Sequence, residues 1–142
     1  MERIIGLDFG SKTTGVAVSD PFGWTAQGVE IIRRKEENKL RKTLARIEEL
    51  VKEYGAARIV LGLPKNMNNT IGPKGELSYK FKQMLEEKIG INVFLMDERL
   101  TTKQATDILL MNDTSRKKRK KVIDSMAATI ILQSYLDKER NK

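Results

Sequence analysis

The chain has 142 residues, enough for one full apolar core and too few for two, so a single domain spanning 1–142 is expected. Its 27 Lys and Arg against 19 Asp and Glu leave a net charge of +8, which favours a polyanionic partner such as nucleic acid. Cysteine and histidine are both absent, which excludes disulfides, thiol chemistry, imidazole catalysis and ordinary zinc or copper sites, and leaves oxygen and nitrogen donors suited to Mg²⁺ or Mn²⁺ and to phosphate.

Ile4, Ile5, Leu7 and Phe9 form a nearly continuous apolar run, which predicts a strand covered on both faces. Asp8 interrupts it. An isolated ionised carboxylate out of water costs several kcal/mol or neutralises itself, so a cation, a donor cluster or a metal is expected beside it. The turn signal from Gly10 to Gly15 and the restart at Val16, Ala17 and Val18 predict an antiparallel hairpin, with Asp8 near its open end. After a turn at Asp20 to Gly23, Ala26 to Ile32 is expected to return as a third strand with Val29 and Ile31 on one face.

Leu40, Leu44, Ile47, Val51 and Tyr54 recur at helical spacing, and Gly55 supplies the stop. Arg58 to Leu63 reads as a buried parallel strand closed by Pro64. The Asn-, Gly- and Pro-rich stretch from Lys65 to Gly75 reads as a loop leaving the carboxyl end of that strand, a place that ligands favour in α/β folds. Leu77 to Ile89 reads as a core-facing helix through Leu77, Phe81, Met84, Leu85 and Ile89, stopped by Gly90. Ile91 to Met96 is the last strand and runs directly into Asp97, Glu98 and Arg99. Thr101 or Thr102 can cap a further helix that buries Ala105, Ile108 and Leu109 and ends near Asn112.

Arg116, Lys117, Lys118, Arg119, Lys120 and Lys121 are consecutive cations without an apolar residue, expected to be mobile until an anion approaches. The last helix is expected from about Lys120 to Lys138, with a wide apolar stripe. No apolar run approaches the ~20 residues of a membrane span and no signal-peptide core opens the chain, so no membrane partner and a cytoplasmic location are expected.

Asp124 shares a helix face with Ala127, Ala128, Ile131 and Tyr135, so a second acid falls where a core element packs. An acid complementing the helix dipole explains it equally well, at roughly 0.3 to 1 kcal/mol. Glu98, read alone, is a surface acid paired with Arg99 or Lys103. Asp8, Glu98 and Asp124 together stand at the edges of core elements, and converging carboxylates repel unless a cation lies between them. Mg²⁺ needs few ligands, all hard oxygen, and two such ions can activate water against a phosphodiester without His or Cys.

Four blocks, LDFGSKTTGVAVSD from Leu7, GLPKNM from Gly62, DERLTT from Asp97 and KVIDSMAATIILQSYL from Lys121, resemble the YqgF family, whose members are named as Holliday junction resolvases and pre-16S rRNA nucleases, within the ribonuclease H-like superfamily. The first block alone also resembles the phosphate hairpin of actin-type and sugar-kinase ATPases; the other three do not. The resemblance implies an α/β ribonuclease H-like fold with a five-stranded mixed sheet, a three-strand antiparallel meander plus two parallel strands, flanked by helices. It also implies Mg²⁺ held by Asp8, Glu98 and Asp124. After GLPKNM this chain carries Asn68 and Asn69, where the family commonly has an Asp-Gly or Asn-Gly pair.

On this reading the protein hydrolyses phosphodiesters of structured nucleic acid, precursor rRNA or junction DNA, with Mg²⁺ or Mn²⁺. Asp8 is the ligand shared by two ions, and Glu98 and Asp124 complete one site each. Strand alternation lets only one of Asp97 and Glu98 face the metals, and the resemblance selects Glu98. Lys12, Arg99 and the backbone donors of Gly10 and Ser11 are candidate phosphate contacts, and Arg116 to Lys121 are assigned to neutralising the nucleic-acid backbone. The alternatives are a non-catalytic nucleic-acid-binding module of the same shape and an actin-type nucleotide-binding half-domain. A monomer suits RNA end processing, a homodimer paired junction nicks.

Overall fold

The computed structural model describes residues 2–64, 72–97 and 116–140, with residues 116–125 described through their backbone alone. Strands β1 (Arg3–Phe9), β2 (Thr13–Ser19) and β3 (Ala26–Arg33) precede helix α1 (Arg41–Tyr54), strand β4 (Ala56–Leu63), helix α2 (Pro73–Ile89), strand β5 (Asn92–Asp97) and helix α3 (Arg116–Arg140). They build one five-stranded sheet in the order β3-β2-β1-β4-β5. The β1–β2 and β2–β3 pairs are antiparallel, and the β1–β4 and β4–β5 pairs are parallel. The expected meander plus two parallel strands is therefore the observed topology.

The sheet is covered on both faces, as the unbroken apolar reading of β1 and β4 requires. On one side Ile5, Leu7, Val16, Ile59 and Leu61 pack with Leu44, Ile47 and Leu50 of α1 and Phe81 and Leu85 of α2. On the other, Ile4, Ala17 and Val60 meet Ala128, Ile131, Leu132 and Leu136 of α3. Each fully buried Ile or Leu contributes about 1.5–3 kcal/mol, so these two layers fix the sheet between the helices. Gly55 and Gly90 end α1 and α2 in the left-handed conformation, at φ of 64° and 80°.

Four local expectations are corrected. Asp8 pairs with Gly15 and Phe9 with Thr14, so Asp8 stands beside the hairpin's turn and not at its open end. A β-bulge interrupts the β2–β3 register between Val16 and Ala17 and moves the alternation of β3 by one place, so Ile32, not Ile31, joins Val29 over the α1 side. Pro73 opens α2 four residues before Leu77, its fixed φ and missing N–H suiting a first helical position. The buried face of α2 is then Gly75, Ser78, Phe81 and Leu85, which leaves Leu77 and Met84 exposed.

The six cations from Arg116 to Lys121 belong to the first turns of α3 instead of a separate mobile run. Lys and Arg are good helix formers, and a continuous helix satisfies their backbone more fully than a coil does. The predicted helix near Thr101 to Asn112 lies outside the described residues.

Candidate active site

The C-terminal ends of the parallel strands β1, β4 and β5 share one edge of the sheet. Asp8, half-buried, is at that end of β1, the central strand. It lines a cavity of about 270 Å³ together with Phe9, Gly10, Ser11, Glu37, Pro64, Lys74 and Leu77. Lys74 and Leu77 lie in the first turns of α2, so that helix brings its partially positive N-terminal end to the rim.

The turn beneath Asp8 is held from β3. Gly10 N–H donates to the Thr13 carbonyl at 2.7 Å, and the Arg34 amide donates to the Lys12 carbonyl at 2.9 Å. The Arg34 guanidinium donates to the Gly10 carbonyl and, at 3.4 Å, to Thr14 Oγ1. Its carbon stands 4.8 Å above the Phe9 ring, which in turn stacks on Phe81 at 4.0 Å. Burial pushes the Arg34 pKa below its ordinary value, opposed by the charge of Glu37. Gly10 N–H is therefore committed to the turn and is withdrawn as a phosphate donor, while Ser11 remains on the cavity wall.

The two acids at this edge face opposite ways. Asp8 has the strand parity of Gly6, where an added Cβ would meet Leu132 of α3. Asp97 has the parity of Val93 and Leu95, which pack on the α1 and α2 side, whereas Met96 packs with the α3 cluster. Two strand spacings, roughly 10 Å, also separate β1 from β5.

α3 runs antiparallel to β1. Ala128 and Leu132 lie over Gly6, and Leu136 packs beside Ile4 at the strand's start. Tyr135 OH accepts from Arg58 Nη1 at 2.9 Å near the start of β4. The backbone at Asp124 lies one helical turn, about 6 Å, before Ala128, and Asp8 lies two strand residues, about 7 Å, beyond Gly6. The helix therefore leads residue 124 toward the strand end that carries Asp8.

Of the expected site residues, Asp8 lines the cavity, Lys12 is exposed on the turn outside it, and Asp124 with Arg116, Lys117, Lys118, Arg119, Lys120 and Lys121 is placed through the α3 backbone. Glu98 and Arg99 lie outside the described residues. Among the described residues no group of three His, Cys, Asp or Glu side chains could hold a metal ion. The donors available are carboxylates without His or Cys, a set that fits a hard divalent cation and not a soft one. Arg34, Glu37 and Lys74 were not singled out in the sequence, because nothing in the local pattern ties the end of β3 or the start of α2 to the β1 turn.

A family model described as RuvX, Holliday junction resolvase, matches residues 2–138. A protein named "Putative pre-16S rRNA nuclease" from Listeria monocytogenes is 59% identical over 135 residues, covering 95% of this chain and 97% of the relative. One of the same name from Bacillus cytotoxicus is 54% identical over 135 residues, covering 95% and 98%. Among solved structures, Thermus thermophilus RuvC in complex with Holliday junction substrate superposes with a TM-score of 0.61 at 14% identity, covering 97% of this chain and 96% of that one. The fowlpox virus Holliday junction resolvase superposes with a TM-score of 0.60 at 17% identity, covering 96% and 99%. These superpositions establish the ribonuclease H-like fold that the strand order already describes. The match over nearly the full length places the chain in the RuvX family, the YqgF family that its four sequence blocks resemble.

Proposed function

We propose that this protein is a metal-dependent nuclease that hydrolyses phosphodiester bonds of structured nucleic acid, acting on pre-16S rRNA ends, on four-way DNA junctions, or on both. The observation that carries the reading is the position of Asp8, a carboxylate at the C-terminal end of the central strand and on the sheet face along which α3 leads Asp124. The parity of Asp97, away from that face, supports Glu98 as the third acid. The names of the relatives support a nuclease in this family.

In this reading Asp8, Glu98 and Asp124 hold Mg²⁺, with Mn²⁺ as a substitute. Divalent metal bound there supplies Lewis-acid polarisation of the phosphate and acidifies water. The chain's own contribution is placement: the Arg34 bonds fix the β1–β2 turn, and the first turn of α2 offers Lys74 and a positive helix end to the substrate phosphate. Lys12, Arg99 and Arg116 to Lys121 neutralise flanking phosphates. A basic chain of net charge +8, with no helix among the described residues long and apolar enough to cross a membrane, suits such a substrate. Paired nicking of a junction calls for two copies, whereas trimming of RNA ends does not.

The test is cleavage of junction DNA and precursor rRNA side by side by purified protein, in Mg²⁺, Mn²⁺ and chelator, with Asp8→Asn as the blank. Metal-dependent cleavage that falls at least about 100-fold in Asp8→Asn is expected, since even residues that only support a metal ligand are worth about 10–100-fold. Binding without cleavage by the wild-type protein in either metal overturns the proposal.

A further inference from the structure

The β3–α1 segment carries a second cavity, which shares only Arg34 with the site described above. It has a volume of about 890 Å³ and, among the described residues, is lined by seven basic residues and one acid, Glu36. Besides Arg34, the cations are Arg33, Lys35, Lys39, Arg41, Lys42 and Lys88. Lys39 is paired with Glu36 at 3.3 Å. Arg33, Lys35, Arg41, Lys42 and Lys88 have no ion-pair partner among the described residues. Leu40, Leu44 and Met84 add apolar surface to the cavity, and Asn38 a neutral polar group.

Unpaired cations around one cavity repel one another, and at the first turn of α1 they meet the positive end of the helix dipole as well. That turn contains Arg41 and Lys42, has no acid, and follows a cap residue, Leu40, that makes no side-chain cap bond. A structural role for these residues would call for acids among them. A multivalent anion relieves the repulsion, and a sugar-phosphate backbone also offers apolar ribose carbons to Leu40, Leu44 and Met84.

The position relative to Asp8 narrows the ligand. Arg34 lines this cavity while its guanidinium bonds the Gly10 carbonyl on the wall of the Asp8 cavity, and Glu37, three residues on, lines the Asp8 cavity. The segment from Arg33 to Leu40 is thus a shared partition between the two. A nucleic-acid strand that reaches the Asp8 cavity has this partition beside it. We infer that the cavity bounded by Arg33, Lys42 and Lys88 is a second phosphate-binding site, which takes the backbone of the nucleic-acid arm flanking the cleaved bond. This deepens the nuclease reading and rests on it for the direction of the strand.

The experiment measures binding of a long-armed junction and a truncated-arm junction across a salt series, in an Asp8→Asn background that cannot consume the probe. Arg33→Gln, Lys42→Gln and Lys88→Gln are combined. Lys52→Gln, Lys80→Gln and Lys138→Gln, exposed and outside the cavity, make the charge-matched control. The cavity triple is expected to reduce the salt slope by about two to three units, at ~0.9 per phosphate contact, to raise Kd at least about tenfold, and to abolish the advantage of the longer arm. An unchanged slope, or an equal loss in the control triple, overturns the inference. Cleavage by the protein with Asp8 intact is scored separately: a slope lost only in the cavity triple, without any wild-type cleavage, retains the phosphate site and removes the nuclease reading.

Discussion

Gly6 lies directly beneath Leu132: a Cβ on Gly6 would stand 2.7 Å from the Cβ of Leu132 and 3.1 Å from the Ala128 carbonyl oxygen. Neither contact atom is the free end of a flexible side chain, so a methyl group there lifts α3 from the sheet. Gly6→Ala is expected to lower stability by about 1–3 kcal/mol in urea unfolding, the usual range for overpacking. Because α3 also carries Asp124, the same variant is expected to lose cleavage rate, by up to about 100-fold for a displacement near 1 Å. Wild-type stability together with wild-type turnover in Gly6→Ala would show that the helix position is not held at this contact.

Arg34 joins the end of β3 to the β1–β2 turn through two carbonyls, a hydroxyl and an aromatic ring. Arg34→Met keeps the apolar stem over Phe9 and removes the side-chain donors, leaving the Gly10 carbonyl without its charged partner. A loss of about 1–3 kcal/mol is expected. Arg34→Lys is expected to restore little of it, because a single ammonium cannot reproduce the planar fork that reaches Gly10 and Thr14 together. Equal urea midpoints for wild type and Arg34→Met would contradict this.

Thr43 is 1% exposed, and its Oγ1 has no hydrogen-bond partner among the described residues. An unsatisfied buried hydroxyl costs about 1–3 kcal/mol. Thr43→Val replaces it with a methyl in a site bordered by the core residues of α1, and a gain of about 1 kcal/mol in unfolding free energy is the expected outcome. A lower midpoint would mean that the hydroxyl has a partner in solution.

Glu30 and Arg46 tie β3 to α1 through a two-pronged contact, at 2.7 and 3.0 Å. The Arg46 hydrogen bond holds the Glu30 carboxyl below its ordinary value of 4.5, with burial acting in the opposite sense. A depressed folded pKa contributes stability that is present above the unfolded value and disappears as pH falls through the folded one. Glu30→Gln should therefore destabilise the protein at pH 7, and the difference from wild type should shrink below pH 4.5, as read by urea midpoints across that window. A difference that persists unchanged at strongly acid pH would assign it to packing instead of charge.

Much of the architecture is legible in local chemistry. Gly55 and Gly90 mark helix ends because only glycine is at ease in the left-handed cap, and the β-branched run before Pro64 marks a buried strand. Alternation alone sets Asp97 and Glu98 on opposite faces, and only the packing of Val93, Leu95 and Met96 shows which face Asp97 takes. What local pattern could not show arises from long-range partners. The bulge opposite Val16 and Ala17 depends on how β2 and β3 meet, and it exchanges Ile31 for Ile32 in the core. Pro73 reads as a loop residue until the helix behind it is seen. Arg34 looks like one more cation in a basic segment, and only the folded chain sets it over Phe9 and against the turn of Asp8.

The bulge has a further effect on how this chain meets its own kind. β3 is an outer strand of the sheet, with no neighbour beyond it among the described residues, and an outer strand is a template for adding another chain. Here the shifted register between Gly28 and Glu30 breaks the regular row of donors and acceptors, and Gln27 and Arg33 stand exposed along it. An irregular edge of this kind is a poorer template for adding a strand than a regular one, so the bulge that sets the core of β3 also guards its outer side.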